Sequence, residues 1–223
     1  MRVALIGATG LIGRSLAPRL ATAHHLLVIG RRPAGVAGAE ERIGSMSEWP
    51  AHVADEALDV AVSALGTTWN KAGSWPAFEA VDHDAVLGFA RAARTAGARQ
   101  FVTISSVGAS PDSRNRYLAL KGRVERGLAD IGFERLDIIQ PGLLRGSRGA
   151  DRRRGEWFGI LVSPLANLVL RGRLDRFAAI DASAVAAAIA ALIGAEMRGV
   201  FIHRNREIRG LMTVRGDAPS LER

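Results

Sequence analysis

A short apolar run, residues 2–6, leads directly into Gly7-Ala8-Thr9-Gly10-Leu11-Ile12-Gly13, and helix-forming residues follow at once. A strand that turns on closely spaced glycines into a helix leaves few folds open. Gly7 can make the tight turn off the strand. Gly10 has no side chain, so the backbone can approach a pyrophosphate there. Gly13 lets the helix lie close to the sheet. The free amides at the helix N-terminus then face phosphate groups. Gly7, Ala8, Thr9, Gly10, Leu11 and Gly13 are read as a dinucleotide-binding loop.

Beyond this loop the hydrophobic pattern alternates between two kinds. Short apolar runs at 26–29, 59–64, 101–104 and 136–139 are bounded by Gly, Ser, Thr or Pro, as buried strands are, and a weaker strand sits near 42–43. Between them lie stretches with helical spacing at 11–23, 75–96 and 114–131. Gly97 and Gly132 follow two of these closely enough to end them. Alternating strand and helix predicts an α/β fold, a doubly wound parallel sheet covered on both faces. Such sheets bind ligands at the carboxyl ends of their strands. After Pro141 the alternation weakens. An Arg cluster at Arg152, Arg153 and Arg154 precedes an apolar stretch to Leu170, an Ala-rich helix at 181–193 and a last strand at 199–203. The organisation expected is one domain over 1–211, with 148–170 as a lid-like segment of a small C-terminal substrate region. A polar tail covers 212–223.

The second strand ends in Gly30-Arg31-Arg32-Pro33. In this architecture that end reaches the adenosine ribose, where an acidic residue would accept a hydrogen bond from a free 2′-hydroxyl. Arg31 and Arg32 suit a 2′-phosphate instead, because guanidinium forks match phosphate geometry. NADP(H) is the expected cofactor, with NAD(H) second.

Composition narrows the remaining options. The 223 residues are 48% hydrophobic but only 5% aromatic, which supports an aliphatic core of one ordinary domain. There is no cysteine, so disulfides, thiolate nucleophiles and Cys-based metal sites are excluded, and a reducing cytoplasm is the expected location. The formal charge of +8 raises nucleic-acid binding, but no aromatic-interleaved strand or recognition helix accompanies the basic residues. A specific nucleic-acid partner is not expected; a polyanionic cofactor is. No apolar stretch is long enough to span a bilayer, and no metal site is expected. His24-His25 lacks a carboxylate at metal spacing, and His203 is read as structural.

Tyr117 is the only tyrosine in the chain and Lys121 one of only two lysines, the other being Lys71. They stand four apart, on one face of a predicted helix. Strand five ends just upstream in Ile104-Ser105-Ser106-Val107-Gly108-Ala109. With GATGLIG, GRRP, SALGTTWNKAG, FVTISSVGAS, YLALKGRVE, PGLLRG and RGEWFG in succession, the chain resembles the short-chain dehydrogenase/reductase superfamily in its atypical branch. More narrowly it looks like the Tat-interacting-protein oxidoreductase family, a relative of the NmrA-like proteins.

That resemblance implies a Rossmann fold, NADP(H) binding and a catalytic set of Ser106, Tyr117 and Lys121, with Ser105 the second-ranked serine. It implies that Leu65, Gly66 and Thr67 line the cofactor after strand four, and Pro141, Gly142 and Leu143 after strand six. Two departures stand out. Where the superfamily often has an aspartate near the adenine, this chain offers only Ser45; where many members have an asparagine on the helix before strand five, Asp82 lies in the region. Lys71 is read as a loop residue.

The chemistry agrees with the set. Reducing a carbonyl requires a hydride and a proton for the developing alkoxide. A free tyrosine, pKa about 10, holds its proton too tightly for easy exchange near neutrality. A nearby ammonium favours tyrosinate and lowers that value. A serine can hold the substrate oxygen. The expected activity is hydride transfer to or from a small carbonyl or alcohol. The alternative is an NADP(H)-binding redox sensor that passes its state to a protein partner, with little turnover. A nucleotide-sugar epimerase or dehydratase ranks third.

Overall fold

The computed structural model describes residues 1–146 and 177–213. The lid-like segment 148–170 and the end of the polar tail, 214–223, lie outside the described residues. The first half of the chain builds β1 (Arg2–Ile6), α1 (Gly13–Ala23), β2 (His25–Gly30), β3 (Glu40–Ile43), α2 (Trp49–Val53), β4 (Val60–Ser63) and α3 (Trp69–Ala72). Then come α4 (Trp75–Glu79), α5 (Ala85–Thr95), β5 (Gln100–Ile104), α6 (Arg116–Ile131) and β6 (Arg135–Ile139). The last elements are β7 (Leu144–Arg145), β8 (Ile180–Asp181), α7 (Ala182–Leu192), β9 (Gly199–His203) and α8 (Asn205–Thr213).

Seven strands form one sheet in the order β3-β2-β1-β4-β5-β6-β9, and every pairing in it is parallel. A parallel sheet buries both faces, so its strands alternate between two cores rather than between core and water. β1 shows this directly. Val3 and Leu5 pack with Leu16 and Leu20 of α1 and Val185 and Ile189 of α7. Ala4 and Ile6 pack on the other face with Trp49, Phe89 and Leu128. All four β1 residues are fully buried. The strand order reverses at β1, whose neighbours are β2 and β4, so the loops leaving β1 and β4 diverge and open a crevice at the carboxyl edge.

The helix expected at 75–96 forms as one continuous run, but a π-turn, Ala80–Asp84, separates α4 from α5. Single π-turns inside helices recur at functional sites. The sequence pattern did not reveal this turn, because one wide turn shifts the apolar face without breaking it. The pair β7–β8 and the helix α8, which runs two residues past the expected start of the tail, are further elements that periodicity missed.

Candidate functional site

The glycine loop is shaped by backbone crowding. Gly7 has φ +85°, and a Cβ there would lie 2.4 Å from the Ala64 carbonyl carbon. A Cβ on Gly13 would lie 2.1 Å from the Gly7 carbonyl oxygen. The turn is closed by Gly10 N–H donating to Gly7 O at 2.9 Å. Helix α1 then begins with no side chain capping it and no acidic residue in its first turn, which leaves its positive end open to an anion.

Beside the loop lies a cavity of about 540 Å³ lined by Gly7, Ala8, Thr9, Arg31, Arg32 and Leu65, together with Trp49 and Lys71. Arg31 and Arg32 are exposed at its rim. The nearby acid, Glu41, is committed elsewhere: its carboxylate accepts the Ala34 and Val36 N–H groups, both at 2.9 Å. Trp49 and Lys71 were not expected here. Trp49 gave no signal beyond its hydrophobicity; Lys71, one of two lysines, gave a compositional one. Ser45 binds Glu48 and Ser47 and does not line the cavity.

The second part of the site lies on α6. Asn115 caps this helix, its side chain accepting the N–H groups of Tyr117 at 3.0 Å and Leu118 at 3.1 Å, so the helix starts just before Tyr117. The loop after β5 is pressed onto the same helix. Ser110 N–H donates to Leu118 O at 3.2 Å, and a Cβ on Gly122 would lie 2.2 Å from the Ser110 carbonyl carbon. Nothing in the sequence around Gly122 signals this role; only the close approach supplies it.

Tyr117 and Lys121 differ sharply in exposure. The tyrosine is 38% exposed, its ring edge-on to Phe78 at 6.0 Å, while Lys121 is only 6% exposed. Its ammonium lies 6.0 Å from the centre of the Tyr117 ring and 2.7 Å from Asp82 Oδ1. Asp82 sits in the π-turn, is 1% exposed, and accepts the Thr67 N–H on its other oxygen at 2.8 Å. Burial works against the Lys121 charge, but Asp82, Tyr117 and Glu125 outweigh it, so its pKa stands above the ordinary lysine value.

The two serines are separated by their partners. Ser105 is buried and donates its hydroxyl to Glu125, which also accepts from Gln140 Nε2 at 2.9 Å. Burial pushes the Glu125 pKa above the usual carboxylate value, and those hydrogen bonds with the Lys121 and Arg204 charges offset only part of it. Ser106 is half-buried, and its hydroxyl has no partner among the described residues.

The expected cofactor residues do not all meet in one place. Gly7, Ala8, Thr9, Arg31, Arg32 and Leu65 share the cavity; Gly10, Leu11, Gly13 and Gly66 do not line it, nor do Tyr117 and Lys121, which Asp82 ties to the Thr67 loop. Pro141 is buried under the loop after β5, its carbonyl accepting from Val107 N–H at 3.3 Å, and Gly142 N–H donates to Asn205 Oδ1 at 2.9 Å. Leu143 accepts from Ile180 N–H at 2.9 Å. His203 Nε2–H donates to the Asp137 carboxylate at 2.8 Å, a structural contact at the sheet edge. Among the described residues no cluster of His, Asp and Glu could hold a metal, and no helix is long and apolar enough to cross a membrane.

The arrangement is a Rossmann-type α/β fold. It is similar to MoeE5 solved with UDP-glucose and NAD, at TM-score 0.67 and 16% identity, covering 97% of this chain and 82% of that one. It is also similar to the UDP-glucose 4-epimerase of Bifidobacterium longum solved with NAD+ and UDP, at TM-score 0.68 and 13% identity, covering 91% and 77%. No family model matches the chain. Curated relatives identify its family. Protein FMP52, mitochondrial, of Coccidioides immitis is 32% identical over 219 residues, covering 88% of this chain and 89% of the relative. The protein of that name in Eremothecium gossypii is 37% identical over 182 residues, covering 78% and 80%. The chain belongs to the FMP52 family.

These relatives correct one expectation. Their names place them in mitochondria, which overturns the cytoplasmic location inferred from the absence of cysteine. A chain without cysteine simply needs no oxidising compartment, and that does not single out the cytoplasm.

Proposed function

We propose that this chain is an NADP(H)-dependent oxidoreductase of the short-chain dehydrogenase/reductase type, transferring hydride to or from a small carbonyl or alcohol. The observation that carries the reading is the joint placement of an open, glycine-lined phosphate cradle and a buried lysine beside an exposed tyrosine at the carboxyl edge of one parallel sheet. The residues fit a dinucleotide. Crowding at Gly7 and Gly13 keeps side chains out of the loop, and the uncapped α1 can receive a pyrophosphate. Arg31 and Arg32, with the nearby Glu41 engaged by its own loop, favour a 2′-phosphate over a free ribose hydroxyl. Lys71 would add a further positive charge at the same cavity. The solved neighbours were obtained with NAD, so the preference for NADP(H) rests on this chain's own arginines.

A bound nicotinamide supplies the hydride. The protein's part is the oxygen. Ser106, whose hydroxyl is uncommitted among the described residues, holds the carbonyl oxygen, while Ser105 is kept by Glu125. Tyr117 gives its phenolic proton to that oxygen as the alcohol forms. Lys121 faces the tyrosinate left behind, its charge partly balanced by Asp82, and is the group expected to hold the nicotinamide ribose. Leu65, Gly66 and Thr67 on one side and Pro141, Gly142 and Leu143 on the other would border the cofactor. The narrower likeness to the Tat-interacting-protein and NmrA-like families and the single-domain organisation over 1–211 belong to the same reading. The mitochondrion is the compartment to test.

The decisive experiment is Tyr117→Phe assayed on a carbonyl panel by loss of NADPH absorbance, with cofactor binding titrated separately. Turnover should fall at least about a hundredfold, with binding nearly unchanged. Full activity in Tyr117→Phe would refute the catalytic assignment. Tight NADPH binding with no turnover of any carbonyl by the unmodified protein would favour the sensor reading.

A further inference from the structure

Lys121 is not a bare cation. Its ammonium lies 2.7 Å from the Asp82 carboxylate but 6.0 Å from the centre of the Tyr117 ring. The carboxylate carries a full charge in contact with the ammonium, whereas the phenol is neutral until it ionises, so the ammonium is held more strongly by the carboxylate. From the position of Tyr117, Asp82 and Lys121 together form a nearly neutral dipole. Both partners are buried, so solvent screens the pair little.

We propose that Asp82 tunes Tyr117 through Lys121, cancelling much of the ammonium's field at the phenol and so keeping Tyr117 protonated to higher pH than Lys121 alone would. Resting on the oxidoreductase reading, this shapes the pH dependence of each direction: carbonyl reduction draws on the protonated tyrosine, and alcohol oxidation on tyrosinate. Asp82 is a positioning residue in this scheme. It touches neither substrate nor cofactor, and it also ties Lys121 to the Thr67 loop.

The surrounding charges do not supply the same effect. On α6, Glu125 faces Lys121 one turn on, but burial pulls it toward neutrality, and Arg204 opposes it from the start of α8. Glu79 of α4 is paired with Arg123 at 2.7 Å, and Arg116 lies over the Trp75 ring at 4.2 Å. Asp82 is the one acid on the packed π-turn that reaches Lys121 directly.

Because Tyr117 is the only tyrosine, isotope-labelled tyrosine gives one resonance, and its titration can be followed without any substrate. Asp82→Asn keeps the shape and an oxygen for the Thr67 N–H. It should lower the Tyr117 midpoint by about one pH unit, because a negative charge that opposed tyrosinate is gone. The double variant Asp82→Asn with Lys121→Met removes both charges and leaves no uncompensated ion. Its Tyr117 midpoint should stay close to that of the unmodified protein, and this arm serves if the single variant does not fold. A midpoint unchanged or raised in Asp82→Asn overturns the proposal. So does a double variant whose midpoint rises by about a unit or more, since that would mean the ammonium had acted unopposed. Neither result depends on turnover, so failure here is distinct from failure of the Tyr117→Phe test.

Discussion

At the end of β1 the site is shaped by side chains that are absent, and on α6 by charges that are buried. The glycine loop is crowded by backbone: Gly7 against Ala64 and Leu65, Gly13 against Gly7 and Ala8. The α6 end depends on side chains, with Lys121 paired to Asp82, Ser105 to Glu125, and Asn115 capping the helix. Backbone crowding is unforgiving, because a carbonyl cannot move without moving its strand. A buried ion pair is a balance of desolvation against attraction, and it tolerates loss of both partners far better than loss of one. The first end has little room to change; the second can be tuned.

The largest effect is expected where backbone meets backbone. Gly13→Val places a branched carbon where even a Cβ would sit 2.1 Å from a carbonyl oxygen. It should cost about 5 kcal/mol, comparable to the whole stability of many domains, and chemical denaturation should show little folded protein. A stable, cofactor-binding Gly13→Val would break the contrast outright.

Next comes the charge pair. Lys121→Ala leaves the Asp82 carboxylate buried without its cation, and should cost about 3 kcal/mol in unfolding experiments. Adding Asp82→Ala should recover part of that loss, a coupling that a double-mutant cycle reads directly. Additive losses would mean the pair is not the organising contact of this end. No second substitution at Gly7 is expected to rescue Gly13→Val, which sharpens the difference between the two ends.

The smallest effect belongs to the cavity rim. Arg31 and Arg32 are exposed, so replacing both by Ala should leave stability within about 0.5 kcal/mol. The change should instead weaken NADPH binding about tenfold, roughly 1.4 kcal/mol, and remove its advantage over NADH in thermal shift. Equal stabilisation of the unmodified protein by both cofactors would sink the 2′-phosphate assignment.

Much of this was readable along the chain, because the signals are local. A strand followed by GATGLIG specifies its own turn, since only glycine fits the crowded positions. The alternation of apolar runs and helical spacing specifies a parallel sheet, since both faces of each strand must be covered. Tyr117 and Lys121 declare themselves by rarity and by a four-residue spacing that one helix face satisfies. What tertiary structure alone decided is where charges meet across long separations. Asp82 and Lys121 stand 39 residues apart in sequence, yet the π-turn and α6 bring them to 2.7 Å. Ser105 and Ser106 are adjacent and chemically identical. The fold separates them by burying one against Glu125, 20 residues downstream of Ser105, and leaving the other half-open. The physical reason is the same in each case: local sequence dictates backbone geometry, but the strength of a charge or hydroxyl depends on its solvent and its partners, and those are assembled only when distant elements pack.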